Sequence, residues 1–174
     1  MKHTDHLKAL VRDVPDFPKE GILFKDITTL LKDATALRQV LTWMAEPLYD
    51  ENIDIVAGVE SRGFILGAAL AVSLGAGFVP IRKPGKLPAE TIARAYDLEY
   101  GSNTLELHVD AIRPGQRVVL LDDLLATGGT AGAAVELIEA LGGEIVRILF
   151  MIELEPLEGR SELERYDVRT LLKY

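Results

Sequence analysis

Val118-Val119-Leu120-Leu121-Asp122-Asp123-Leu124-Leu125-Ala126-Thr127-Gly128-Gly129-Thr130 is the stretch that decides the reading of this chain. A run at 117–121, apolar from Val118 onward, leads into two adjacent carboxylates and then a Gly-rich turn. Beyond it, Ala131, Ala134, Val135, Ile138 and Leu141 recur at helical spacing, with Glu136 and Glu139 opposite. The run predicts a buried strand, the stripe an amphipathic helix, and Gly142-Gly143 its end. A strand, a tight turn and a helix leave backbone N–H groups converging at the helix N-terminus, a nest of positive partial charge suited to one phosphate. Gly128 and Gly129 admit close backbone approach, and Thr127 and Thr130 add hydroxyl donors. Two carboxylates repel a polyphosphate chain but accept hydrogen bonds from a neutral diol. Phosphate in the turn and hydroxyls on the acids describe a ribose 5-phosphate. The plainer reading is a capped strand–helix turn with solvated acids, and it accounts for a lone Gly-Gly-Thr better than for the whole run.

The flanking sequence alternates strand and helix signals. Asp33 is placed to cap a helix whose Leu37, Val40, Leu41, Met44 and Leu48 share a face, with Pro47 ending or kinking it. Residues 53–59 form a short apolar run suited to a buried strand. Residues 63–81 carry no charge, long enough for a membrane span, but Gly67, Gly75, Gly77 and Pro80 divide them. A helix stopping near Gly75 and a strand over 78–81 fit better. Residues 82–94, with Pro84, Gly85 and Pro88, read as a long mobile loop. Leu105, Leu107 and Val109 alternate with polar residues as in a strand with one wet face, residues 145–152 predict a further buried strand, and residues 166–172 predict an edge strand. The expected fold is α/β: a single domain over 1–174 with a mainly parallel twisted sheet flanked by helices, binding its ligand at the carboxyl ends of the strands.

Composition narrows the function. The 174 residues hold 19 Lys and Arg against 27 Asp and Glu, a net charge of −8, which opposes any broad grip on nucleic acid or an anionic membrane. Without cysteine there is no disulfide, thiolate metal site or cysteine nucleophile. His3, His6 and His108 are scattered without metal-ligand spacing. Residues 1–13 carry no signal-peptide core, so a cytoplasmic protein is expected. Other phosphate motifs fail on single residues. Gly58 and Gly63 have P-loop spacing, but Phe64 stands where lysine is needed. No Gly-x-Gly-x-x-Gly follows a strand, position 124 is Leu rather than the second acid of Asp-x-Asp, and the acid pair lies too far along the chain for a response regulator.

Asp122-Asp123-Leu124-Leu125-Ala126-Thr127-Gly128-Gly129-Thr130 resembles the phosphoribosyl-diphosphate motif of type I phosphoribosyltransferases. Four further segments resemble the adenine branch of that superfamily: Gly21-Ile22-Leu23-Phe24-Lys25-Asp26-Ile27-Thr28, Glu60-Ser61-Arg62-Gly63-Phe64, Arg82-Lys83-Pro84-Gly85-Lys86-Leu87-Pro88 and Asp97-Leu98-Glu99-Tyr100-Gly101. The resemblance implies that Asp122, Asp123, Ala126, Thr127, Gly128, Gly129 and Thr130 bind the phosphoribosyl group. It implies that Ser61 and Arg62, in a turn that often holds a cis peptide, and Lys83 and Lys86 on the mobile loop bind diphosphate. It further implies that Leu23, Phe24 and Lys25 bind adenine, with Phe24 stacking on the base, and that Glu99 assists proton removal. A small base-binding hood over about 14–33, a mobile loop closing over the site, magnesium carried with the diphosphate, and a homodimer follow by the same resemblance. Read alone, the basic run at 82–86 is a solvated surface and Phe24 a core residue. Lys25 stands where the family has arginine or lysine, and a lysine lacks the planar fork for the base edge.

The expected activity is transfer of the 5-phosphoribosyl group from 5-phosphoribosyl 1-diphosphate to adenine, giving AMP and diphosphate in purine salvage. Two alternatives stand beside it: a transferase for guanine, hypoxanthine or xanthine, and a non-catalytic regulator that senses phosphoribosyl diphosphate. The regulator would need a DNA-binding module or basic face, for which the composition leaves little room.

Overall fold

Residues 4–97 and 102–174 are described by the structure, a computed structural model, and fall into two units, Met1–Trp43 and Met44–Tyr174. The first unit opens with a short helix α1 (Asp5–Lys8) and a hairpin of strands β1 (Arg12–Pro15) and β2 (Leu23–Asp26). Its register sets Arg12 opposite Asp26 and Asp13 opposite Lys25, and both pairs are ion pairs, at 2.5 and 2.6 Å. Arg12's hydrogen bond, seconded by Thr28, holds the Asp26 carboxyl down at about 2. Helices α2 (Thr28–Leu31) and α3 (Ala34–Ala45) follow. The Asp33 carboxylate accepts the Thr35 and Ala36 N–H groups at 2.9 Å each, satisfying donors that a helix start leaves without partners. Pro47 ends the α-helix as expected, the chain tightening into a 3₁₀ turn over Glu46–Leu48. Leu7, Ile27, Leu30, Ala36 and Val40 are buried.

The second unit is built on a five-stranded parallel sheet of β3 (Ile55–Val59), β4 (Gly77–Ile81), β7 (Arg117–Leu125), β8 (Glu144–Glu153) and β9 (Val168–Lys173), in the order β4-β3-β7-β8-β9. Helix α4 (Arg62–Leu74) connects β3 to β4, and α5 (Gly129–Ala140) connects β7 to β8. Val118, Val119, Leu120 and Leu121 are all fully buried, so both faces of β7 are covered, which is why that strand reads as an unbroken apolar run. The charge-free stretch resolves into α4 and β4, and no helix among the described residues is long and apolar enough to cross a membrane.

The remaining strands, β5 (Thr91–Asp97) and β6 (Ser102–His108), form an antiparallel hairpin beside the sheet, and this corrects the reading of 82–94 as an irregular loop. Residues 82–90 remain irregular apart from a bridge between Arg82 and Glu106, but from Thr91 onward the chain is a strand. Ile92 and Tyr96 pack on the core while Arg94, on the same face, pairs with Glu136 of α5 at 3.4 Å. The strand is stabilised by a partner across the hairpin and a helix behind it, neither of which is visible in local composition.

Candidate active site

The sheet opens where its chain order reverses. β3 pairs with β7 from Ile55–Val118 to Gly58–Leu121 and pairs no further, whereas β7 continues alongside β8 to Leu125–Glu153. Asp122 and Asp123 therefore lie inside β7, not after it, on the side from which β3 has withdrawn. A crevice at such a switch point is where a parallel sheet places its ligand. A cavity of about 440 Å³ fills it, lined by Asp122, Asp123, Ala126, Thr127, Gly128 and Thr130 from β7 and the turn after it. Glu60, Ser61 and Arg62, from the turn between β3 and α4, line it as well, and so do Lys83, Tyr96 and Asn103. The N-termini of α4 and α5 thus both reach the cavity, bringing two positive dipole ends and two sets of N–H groups. Two separate phosphate groups fit that arrangement better than one.

The acid pair is held under electrostatic tension. Burial first, and the adjacent Asp123 charge second, push the Asp122 carboxyl well above the usual carboxylate range. Asp122 accepts the Asp123 N–H at 2.8 Å, and Asp123 forms an ion pair with Arg62. Gly63 makes this approach possible, since a Cβ there would lie 2.9 Å from the Leu121 carbonyl oxygen and 3.3 Å from an Asp122 carboxylate oxygen. In the same turn, Glu60 is engaged by Arg82 at 2.8 Å, and the Arg82 guanidinium stands 5.7 Å from the Phe64 ring centroid. The Glu60–Ser61 peptide is cis.

The structure brings together Ser61, Arg62, Lys83, Asp122, Asp123, Ala126, Thr127, Gly128 and Thr130 around one cavity, with Gly129 as the first residue of α5. Lys86 is not among the lining residues. It is exposed, and its carbonyl accepts a hydrogen bond from Arg82 at 3.0 Å. Leu23, Phe24 and Lys25 form β2 of the first unit, where Phe24 meets Phe17 edge-on at 5.1 Å and Lys25 is buried beside Asp13. Glu99 lies outside the described residues. Tyr96 and Asn103, directly opposite each other in the hairpin, were missed as lining residues. The alternation of Ile92, Arg94 and Tyr96 is the signal in the sequence that puts the first of them on a strand face.

The chain matches the phosphoribosyl transferase domain family over residues 26–173. An adenine phosphoribosyltransferase of Alkaliphilus metalliredigens is 59% identical over 169 residues, 97% of this chain and 99% of that protein. The crystal structure of adenine phosphoribosyltransferase from Thermoanaerobacter pseudethanolicus superposes with a TM-score of 0.94 at 52% identity, covering 98% of this chain and 99% of that one. The Saccharomyces cerevisiae enzyme, crystallised with an imino-altritol bisphosphate and adenine, gives a TM-score of 0.91 at 40% identity, covering 98% and 99%.

Proposed function

The chain belongs to the phosphoribosyl transferase family, in its adenine phosphoribosyltransferase branch, and from that premise we propose that it transfers the 5-phosphoribosyl group of 5-phosphoribosyl 1-diphosphate to adenine, releasing AMP and diphosphate. The observation that carries this reading is the cavity at the β3–β7 switch point, where a buried acid pair lies between two helix N-termini. The turn at 126–130 takes the 5-phosphate through backbone N–H groups and the Thr127 and Thr130 hydroxyls. Asp122 and Asp123 accept from the ribose hydroxyls, which positions the anomeric carbon. Ser61, Arg62 and Lys83 take the diphosphate at the N-terminus of α4, with Lys86 reaching it from the loop. A purine nitrogen then attacks the anomeric carbon as diphosphate leaves, through an oxocarbenium-like transition state by analogy with glycosyl transfer generally. The departing charge is neutralised by these cations, and Glu99 assists loss of the purine proton.

Magnesium fits as an ion that arrives with the diphosphate. Glu60 at the cavity is engaged by Arg82, which leaves two adjacent carboxylates, a donor set suited to an ion that shares its ligands with phosphate oxygens rather than to a closed protein cage. When bound, the ion supplies positive charge against the leaving group. Adenine is assigned to Leu23, Phe24 and Lys25 on β2. The half-buried Phe24 ring offers a stacking surface, the Lys25 ammonium is engaged by Asp13, and the hood over 14–33 lies within the first unit. The enzyme works as a cytoplasmic homodimer in this reading. Support for the second copy comes from α4, whose Ile65 and Val72, seven residues apart and both exposed, leave an apolar stripe without a charge.

One assay tests the function. The protein is incubated with phosphoribosyl diphosphate, magnesium and each purine in turn, and diphosphate is measured. Release with adenine is expected. Release with guanine, hypoxanthine or xanthine in its place would move the base specificity, and release with none would leave a sensor rather than an enzyme. Phe24→Ala is expected to weaken adenine use by about 1–3 kcal/mol, the usual worth of nucleobase–aromatic stacking. An unchanged KM for adenine would place the base elsewhere.

A further inference from the structure

Gly128 and Gly159 stand back to back behind the phosphate turn. A Cβ added to Gly128, whose φ is +91°, would lie 2.5 Å from the Gly159 carbonyl oxygen and 3.0 Å from Glu162 Cβ. A Cβ added to Gly159 would overlap the Ala126 carbonyl oxygen and lie 2.9 Å from the Gly128 nitrogen. At their nearest approach the two loops therefore touch backbone to backbone, with the Glu162 side chain packed beside them. The second loop consists of two 3₁₀ turns, Glu155–Leu157 and Gly159–Leu163, joined through Glu158 at φ 51°, a left-handed conformation uncommon for a residue with a side chain. Such a conformation persists where its surroundings over-determine it.

Arg160 ties this loop to the sheet. Its Nε and Nη2 donate to the two carboxylate oxygens of Glu153 at 2.7 and 2.9 Å, its Nη1 donates to the Val168 carbonyl at 2.9 Å, and Nη2 also donates to the Thr170 hydroxyl at 3.1 Å. The Thr170 hydroxyl in turn donates to Glu153 at 2.7 Å. This is a planar fork clamped on a buried carboxylate, a geometry that lysine cannot reproduce. Glu153 is in register with Leu125, the residue before the turn, and the Leu154 N–H donates to the Leu125 carbonyl at 2.9 Å. One strand end thus anchors both the entry to the phosphate turn and the loop that backs it.

We propose that Gly159 and the Glu153–Arg160 clasp are positioning residues for the 5-phosphate, an inference that rests on reading the turn at 126–130 as the 5-phosphate site. They act through the Ala126–Gly128 backbone, holding its N–H groups where the phosphate meets them. Residues 155–163 are then part of the catalytic apparatus without touching substrate.

The test separates the two anionic ends of the substrate by calorimetric titration with ribose 5-phosphate and, separately, with magnesium diphosphate. Gly159→Ala is expected to weaken ribose 5-phosphate about a hundredfold and Arg160→Ala about tenfold, with magnesium diphosphate binding held to within about twofold, because displacing a positioning backbone by an ångström costs about that much. Arg160→Lys should recover part of the loss, and KM for phosphoribosyl diphosphate should rise more than kcat falls. Should Gly159→Ala fail to fold, Arg160→Ala alone carries the test at its own tenfold expectation, since it inserts no atom. Equal weakening of both ligands would reduce the loop to a general structural role and overturn the proposal, as would wild-type binding of ribose 5-phosphate by Arg160→Ala. Thr130→Ala distinguishes the underlying reading. If it alone weakens ribose 5-phosphate, the brace falls and the phosphate assignment stands; if neither it nor the brace variants do, both fall together.

Discussion

Asp122 on β7 is 9% exposed and Glu153 on the neighbouring β8 is 6% exposed, yet burial has opposite outcomes for the two carboxylates. Burial tends to raise both pKa values. At Glu153, hydrogen bonds from Arg160 and Thr170, with the charges of Arg160 and Lys173, outweigh burial and hold the carboxyl below its ordinary value. At Asp122, burial is reinforced by the Asp123 charge, and the Asp123 N–H and the charge of Arg62 do not offset them. The two groups sit on adjacent strands of one sheet, but Asp122 is the more deeply enclosed and the less well supplied with donors, so depth and partners act together. A carboxylate surrounded by built-in donors is committed to the fold. One kept beside a like charge at the wall of a cavity is, on the proposed function, held ready for donors that a ligand brings.

Removing both waiting acids breaks the comparison most severely. Asp122→Asn with Asp123→Asn is expected to lose at least about 2–4 kcal/mol of transition-state binding, roughly 30- to 1000-fold in kcat/KM for phosphoribosyl diphosphate. Steady-state kinetics on the double variant measures it. Turnover equal to wild type would mean that the acids do not hold the ribose, and the contrast with Glu153 would then concern stability alone.

How far this contrast could be read from sequence depends on the range of the contacts. The acid pair, the glycines and the threonines of 122–130 are neighbours along the chain, so strand, turn and helix N-terminus were all legible in a thirteen-residue run. Asp33 was equally legible, because a helix cap acts on N–H groups two and three residues ahead. β5 was not, because Ile92 and Tyr96 become a strand face only against β6 and the core. Nothing local to residues 155–163 shows that Gly159 meets Ala126 thirty-three positions earlier. The ion pairs Arg62–Asp123 and Glu60–Arg82 likewise join residues 61 and 22 positions apart, beyond the reach of spacing arguments.

The committed acid should fail in stability. Glu153→Gln keeps the shape but removes the charge facing Arg160 and Lys173. Because the Arg160 side chain is 40% exposed, solvent screens much of the loss, leaving about 1–2 kcal/mol. For a chain of this length that lowers Tm by about 2–8 °C. The sign of the pH dependence follows from the lowered native pKa. The contribution of Glu153 is fully present above the ordinary glutamate value of 4.5 and is lost as pH falls through the native one, so variant and wild type should converge in strong acid. A gap that persisted unchanged there would assign the loss to packing instead of charge.

The waiting acid should do the reverse. In wild type the native state holds the Asp122 proton to higher pH than the unfolded chain does, so stability falls as pH rises from the ordinary aspartate value of 3.8 through the raised native one. Asp122→Asn retains a side-chain oxygen able to accept the Asp123 N–H but has no charge to bury beside Asp123. At pH 7 it is expected to gain about 1 kcal/mol, a rise in Tm of about 2–4 °C, while turnover falls. Below pH 3.8 the gain should vanish, because the native and unfolded wild-type chains are then both protonated at that position. Melts of the two proteins across that range decide the matter. A variant that melted lower than wild type at pH 7 would show Asp122 to be satisfied within the fold as Glu153 is, and the two acids would no longer differ in kind.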